Sequence, residues 1–411
     1  MSRNKINSFL STLNFVLCFV GYQLATSLFL PASSDIEGIS HTVTVPYRAF
    51  ALFISLLVIL INLKKKVKKP PVALNILWLY WLLLIIRIFY DTKVRSDIHL
   101  INTSQLSFYI FGIILPAMFS VMLSYQKIDL NKALKSLYLG TFLTLILSLF
   151  NNPELLLDAS EITSRGEGNL ALNTISFGHL GTMGVVLSLF ILSKYNMKMI
   201  NKISIIVVML LSFFIMLRAG SRSPILALVV VLLFWLFARG KNFILGIYIS
   251  IIAVIILLLF IEPILNFMGN ISPLIEYRLR LSLFEGHTSG RDILYREAIQ
   301  LFIDKPIFGS QFALFYPNGE FWYPHNIILE AFMALGILGG SAMIYFLWKS
   351  LKNSYLLIKF DTEHFWVSLI LIQQIVLAML GQFYYNQILN VLLVFILLNK
   401  KDGIKELEAN I

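Results

Sequence analysis

Apolar runs of bilayer length recur from one end of this chain to the other, and no other feature limits its fold as tightly. About 20 helical residues cross a hydrocarbon core of about 30 Å, and only helices or closed barrels satisfy their backbone polar groups there. Twelve such spans can be drawn, at 8–30, 47–63, 72–90, 106–124, 136–151, 172–193, 203–217, 224–238, 242–262, 326–347, 365–381 and 384–399. Of the 411 residues 58% are hydrophobic and 13% charged, with a mean hydropathy of +0.80, which is more apolar surface than a soluble core could bury. The expected fold class is all-α: a polytopic integral membrane protein of about 12 transmembrane helices, one membrane domain over 1–411. Phe9 to Leu30 is long enough to span and lacks a clear small-residue cleavage site, so it reads as the first helix and not as a signal peptide.

Basic residues orient the bundle. They fall in every second connection: KKKVKK at 64–69, Lys127, Lys132 and Lys135, Lys194, Lys198 and Lys202, Arg239 and Lys241, Lys349, Lys352 and Lys359, then Lys400, Lys401 and Lys405, with Arg3 and Lys5 at the start. By the positive-inside rule both termini are cytoplasmic. Because 21 of the 33 Lys and Arg lie on that side, the net charge of +11 is a topology signal, and no nucleic acid partner is expected. Cys18 is the one cysteine, so an intrachain disulfide and a thiolate metal cluster are excluded; no metal or cofactor is expected.

The same alternation places outside the loops near 31–46, 91–105, 152–171, 218–223 and 382–386, and above all the large loop 266–325, which holds most of the soluble-type chemistry. In that loop Ser289 is placed to cap a helix, with Asp292 three residues on, and Leu294, Ala298, Leu301 and Phe302 form an apolar stripe ending at Pro306 and Gly309. This predicts an amphipathic helix on the bundle or the membrane surface. Arg291 lies in its first turn, where positive charge opposes the helix dipole; an anionic partner would account for it, and so would a solvated site near lipid headgroups.

A tight hairpin, LRAGSRSPIL, offers a second constellation. Arg218 ends one span and Arg222 follows four residues on, with Ser223 placed to cap the next helix and Pro224 at its first position. Backbone N–H groups at a helix start beside two guanidinium forks suit a diphosphate; the plain alternative is a pair of interface anchors. His325 opens a later span as PHNIILE, at the expected water boundary, where an imidazole titrates near neutral pH and can take a proton from a hydroxyl; capping or packing is its ordinary use. Glu330 lies deeper on the same helix and, as an intramembrane ionisable group, is a candidate partner. Ser221, Asn326 and Arg165 complete the supporting candidates.

These motifs together resemble the superfamily of O-antigen ligases and Wzy-type polysaccharide polymerases. His325, Asn326 and, after nine residues, Gly336 resemble its outer-loop signature; so do Ser289, Gly290 and Arg291 followed by a helix and the Pro306 to Gly309 turn, and the RAGSRSP hairpin before a span. The motifs cover roughly 210–345. Gly339 and Gly340 stand where ligases often carry a Thr pair, and Tyr295 where Trp is common, which tilts the resemblance toward polymerase.

The resemblance implies an inverting, metal-independent glycosyltransferase whose donor is an undecaprenyl-diphosphate-linked glycan. His325 would be the base, and Arg218, Arg222 and Arg291 would bind the diphosphate. The function expected is polymerisation of lipid-linked oligosaccharide repeat units of a capsule, O-antigen or exopolysaccharide at the outer face of the bacterial cytoplasmic membrane. Membrane lipid and a chain-length regulator are the other candidate partners. An O-antigen ligase is the alternative within the same chemistry. A glycosidase plan using Glu285, Asp292, Glu297, Asp304 or Glu320 singles out no pair. A flippase or transporter would place charges along the bundle interior, whereas the mid-span polar residues read from sequence are few, chiefly His179, Gln373 and Gln374.

Overall fold

The structure is a computed structural model that describes the chain apart from residues 1–2, 30–39, 65–69, 96–102, 153–172, 241–242, 287–289, 317–319, 362, 382–385 and 400–411. The expected loop residues Ser289 and Arg165 therefore lie outside the described residues. Among the described residues nine helices are long and apolar enough to cross a membrane. They are α1 Arg3–Phe29, α2 Thr42–Asn62, α3 Val72–Val94, α4 Leu106–Lys127, α5 Leu130–Asn151, α6 Thr174–Lys194, α7 Met199–Arg218, α8 Arg222–Arg239 and, after four further helices, α13 Ile327–Phe360. Between the last two come α9 Phe243–Leu259 and α10 Ile261–Ile271, a pair bent by 64° that makes a tenth span if counted as one, then α11 Pro273–Phe284 and α12 Arg291–Asp304. Two short apolar helices, α14 Trp366–Leu380 and α15 Gln387–Leu398, follow α13. The protein is an all-helical, multi-pass membrane protein; a total of twelve crossings requires the bent pair and both short helices to count.

The chain divides into two compact units, the first comprising 1–54, 127–287 and 354–377, the second 55–126, 288–353 and 378–411. In the first unit, α6 is the central helix because glycines on it admit close neighbours. A Cβ at Gly181 would meet the Ser212 carbonyl at 2.7 Å, and one at Gly178 would meet Pro224 Cγ at 2.6 Å. Small residues at such spacing let helix backbones pack closely where lipid supplies no hydrophobic drive. Polar side chains turn inward: Asn7, Ser11, Thr12 and Asn14 of α1 are buried, and Gln373 donates to the His179 carbonyl at 2.7 Å. The interior is thus more polar than the few mid-span residues read from sequence. A π-turn at Leu17–Gly21 frees the Leu17 carbonyl, which accepts the Tyr47 hydroxyl at 2.7 Å.

In the second unit α15 is buried from Leu389 to Leu398, and its polar Asn390 accepts the Trp81 indole N–H at 3.1 Å. A two-residue hairpin, β1 Leu314–Phe315 with β2 Phe321–Trp322, pairs antiparallel between α12 and α13. The expected amphipathic helix is α12. Its stripe packs on α13, with Leu294, Ala298 and Leu301 gathered around Leu314, Leu329 and Met333, and the Phe302 and Phe332 rings 5.0 Å apart. Its start differs from expectation: Gly290, with φ +78°, occupies the cap position.

Candidate active site

The second unit builds its site on a broken helix. Gly336 has φ +64° and ψ −152°, conformations open in practice only to glycine, and this interrupts α13 after three turns. The regular bond from the Ile337 N–H to the Met333 carbonyl is consequently lost. Both groups find partners in the turn after α12: Ile337 N–H donates to the Pro306 carbonyl at 2.7 Å, and the Met333 carbonyl accepts Ser310 N–H at 2.8 Å. Gly309, at φ +74°, presses against the α13 backbone, where a Cβ would meet Leu335 N at 2.5 Å. The two motif glycines are therefore halves of one joint.

That joint fixes the start of α13. Asn326 caps it, its Oδ1 accepting the N–H of Ile328 at 3.1 Å and of Leu329 at 3.2 Å, so this residue orients the helix. His325, just before the cap, is the one non-glycine residue with positive φ among those described, at +57°. Backbone in this region costs a non-glycine residue on the order of 1–3 kcal/mol, and such strain concentrates at functional positions. The imidazole stands edge-on to Tyr323, with ring centroids 4.9 Å apart, and has a backbone hydrogen bond with Gly381. Its Nδ1 is buried and has no hydrogen-bond partner among the described residues. The Gly381 bond is accordingly left to Nε2–H, and Nδ1 keeps its lone pair for an incoming proton.

The sequence placed His325 at an open water boundary; here it is half-buried. Burial first, then the positive charge of Arg291, lowers its pKa below the ordinary histidine value. Arg291 opens α12 and is itself half-buried, which lowers its own pKa from the usual arginine value. The charge of Arg291 thus acts on His325, 34 residues further along the 266–325 segment. Glu330 is fully buried, and its charge, after burial, raises the pKa of the Tyr323 phenol. In the same unit, Tyr80, Leu335, Gly339 and Tyr345 line an apolar cavity of about 340 Å³.

In the first unit Arg218 ends α7 and is 8% exposed, its guanidinium 5.3 Å from the Phe214 ring centroid. Ser223 does not cap α8 as expected. That helix begins at Arg222 with Ser221 at the cap position, and the Ser223 hydroxyl instead lies 3.2 Å from His179 Nε2. Pro224 is then the third helical residue, still within the first turn, where its missing N–H removes no intrahelical bond. Sequence reading missed Arg278, which donates to the Gly220 carbonyl at 2.9 Å while its own carbonyl accepts from Arg222 at 3.4 Å. An arginine on an outlying helix that stabilises a glycine turn leaves no periodic signal.

Residues 205–344 match a family model described as O-antigen ligase, Wzy_C. The match runs from α7 through the hairpin and α12 to the middle of α13, so it covers His325, Asn326, Glu330, Arg291, Arg218, Arg222 and Arg278 and leaves out Tyr80, His179, Tyr345 and Gly381. No curated protein matches the chain.

Proposed function

We propose, on the premise of the match of residues 205–344 to the O-antigen ligase family model, a family whose substrates are lipid-linked glycans, that the chain is a Wzy-type polymerase joining undecaprenyl-diphosphate-linked repeat units. The observation that carries the reading is the half-buried His325 with an unpartnered Nδ1 beside the Arg291 charge. An acceptor hydroxyl gives its proton to Nδ1 while its oxygen attacks the anomeric carbon of the donor from the face opposite the diphosphate. The bond from that carbon to the diphosphate oxygen breaks, the anomeric configuration inverts, and the lipid diphosphate leaves with the electron pair. His325 then returns its proton to water. Arg291 offsets the charge that grows on the leaving group, and the resemblance assigns Arg218 and Arg222 to the same diphosphate. An apolar cavity of about 340 Å³ in the same unit as His325 suits an isoprenoid chain.

Polymerase is favoured over ligase by Gly339 and Gly340. A Cβ at Gly340 would run into the Phe332 ring, so the larger residues common there in ligases would require that ring to move. The deciding experiment is the glycan profile of a deletion strain. Single repeat units on lipid carrier or acceptor are expected; long chains left on the carrier would identify a ligase instead.

The site is placed outside the cytoplasmic membrane, with both termini cytoplasmic, by the alternation of basic loops. In a Cys18→Ser background, Glu285→Cys is expected to react with an impermeant thiol reagent in spheroplasts and Lys64→Cys to remain unlabelled. Both positions are exposed, so accessibility does not confound the contrast. The reverse labelling would put the site in the wrong compartment.

Diphosphate binding by the arginines predicts that Arg222→Lys is poorly tolerated, since the ammonium keeps the charge and loses the planar fork. Arg218→Ala and Arg291→Ala should also shorten the polymer at normal membrane levels of protein. Full polymer length in all three variants would leave these residues as structural anchors.

A further inference from the structure

The sequence offered no role for three charges at the end of α3: Arg87 and Asp91, four residues apart in its last turns, and Arg95, just past its end. Asp91 is fully buried. One of its oxygens accepts the Phe312 N–H at 2.8 Å, and the other lies 3.7 Å from both Arg87 Nη1 and Arg95 Nη1. Arg87 spends its fork on three successive carbonyls: Nη2 donates to Phe308 at 2.6 Å and Gly309 at 3.2 Å, Nη1 to Ser310 at 3.2 Å. Arg95 adds a bond of 3.4 Å to Gln311. Burying an aspartate is costly unless its charge is paired; here Oδ1 has the two guanidinium groups at ion-pair distance but no hydrogen bond, and the three side chains together hold one five-residue stretch, 308–312.

We propose that Arg87 and Asp91 are positioning residues: they clamp the 308–312 turn onto the Gly336 break of α13 and so hold His325 in its left-handed, half-buried pose. The chain of contacts is continuous. Arg87 holds Gly309 and Ser310; Ser310 N–H holds the freed Met333 carbonyl, and Pro306 holds Ile337 N–H. The α13 segment thus fixed begins at the Asn326 cap, next to His325. Without this clamp, three backbone hydrogen bonds among the described residues, from the Ser310 and Gln311 N–H groups to the Met333 carbonyl and from Ile337 N–H to the Pro306 carbonyl, and the close approaches at Gly309 and Gly336 are left to hold the turn on α13, and misplacement by about 1 Å can cost on the order of a hundredfold in rate. Arg87 touches no reacting atom in this scheme; it acts through the turn.

The role in turnover rests on the polymerase reading, so the test has a readout that does not. Purified full-length chain is treated with diethyl pyrocarbonate, and modification of His325 is followed by peptide mass spectrometry in the unmodified protein, Arg87→Lys and Asp91→Asn. Asn keeps the volume and an acceptor for Phe312 N–H, and Lys keeps the charge without the fork. The clamp predicts severalfold faster modification in both variants, with kcat for polymer formation reduced and KM for the lipid-linked donor nearly unchanged. Unchanged reactivity of His325 in both overturns it. If the unmodified protein forms no polymer, the functional reading fails while the labelling still decides the clamp. Should a variant not fold, hydrogen exchange on the unmodified chain decides: the Ser310, Phe312 and Ile337 amides must be strongly protected, and exchange as fast as at exposed Gly286 overturns the proposal.

Discussion

His325→Ala is expected to lower polymer formation by about a hundredfold to ten-thousandfold, the usual worth of a general base, with the protein still folded in the membrane. His325→Gln separates orientation from proton transfer, because an amide hydrogen-bonds a hydroxyl but does not take its proton; it should be nearly as impaired as Ala. The assay uses purified lipid-linked repeat units with chelator present, and near-normal turnover by both variants would reject His325 as the base. Strict dependence on a divalent metal in the unmodified protein would reject the metal-independent mechanism. The pH profile carries the sign of the pKa shift. The neutral imidazole is the active form, and burial with Arg291 lowers its pKa. Activity should therefore persist through the ordinary histidine range, near about 6.5, and fall only at lower pH. In Arg291→Ala one of the two lowering causes is gone, so the acid limb should move up; an unmoved limb would mean the charge does not act on His325.

Gly336→Ala should cost about 3 kcal/mol or more of stability, seen as a large drop in folded yield and in the thermal midpoint in detergent. Two effects combine. An alanine at φ +64° and ψ −152° is strained in its own backbone, and its Cβ would enter the space of the Pro306 and Ile307 carbonyls. Gly286→Ala is the control, since it has nearly the same φ, +65°, with nothing within 4 Å of the added carbon. Its cost should be about 1 kcal/mol, the backbone contribution alone. Equal losses in the two variants would mean that the joint between the turn and α13 contributes nothing.

The membrane class, the helical architecture and the approximate spans were legible because lipid imposes a one-dimensional rule: a crossing segment must be apolar for about 20 residues and must satisfy its own backbone. The amphipathic stripe of α12 was readable for a similar reason, since Leu294, Ala298 and Leu301 repeat at helical spacing. The family resemblance found Gly309 and Gly336 as motif positions, while their physical purpose was hidden. They meet because each supplies a backbone that nothing larger than hydrogen can approach, and a close approach between residues 27 apart is a tertiary fact. The same holds where expectation failed: Ser223 reads locally as a helix cap, yet its hydroxyl is drawn to His179, 44 residues away. Arg87 and Asp91 looked like ordinary charges at the end of a span. Only folding brought them onto the 308–312 carbonyls and amide, and only folding set His325 beside Arg291 with one ring nitrogen left open, because such pairings depend on distances between helices and not on spacing along one.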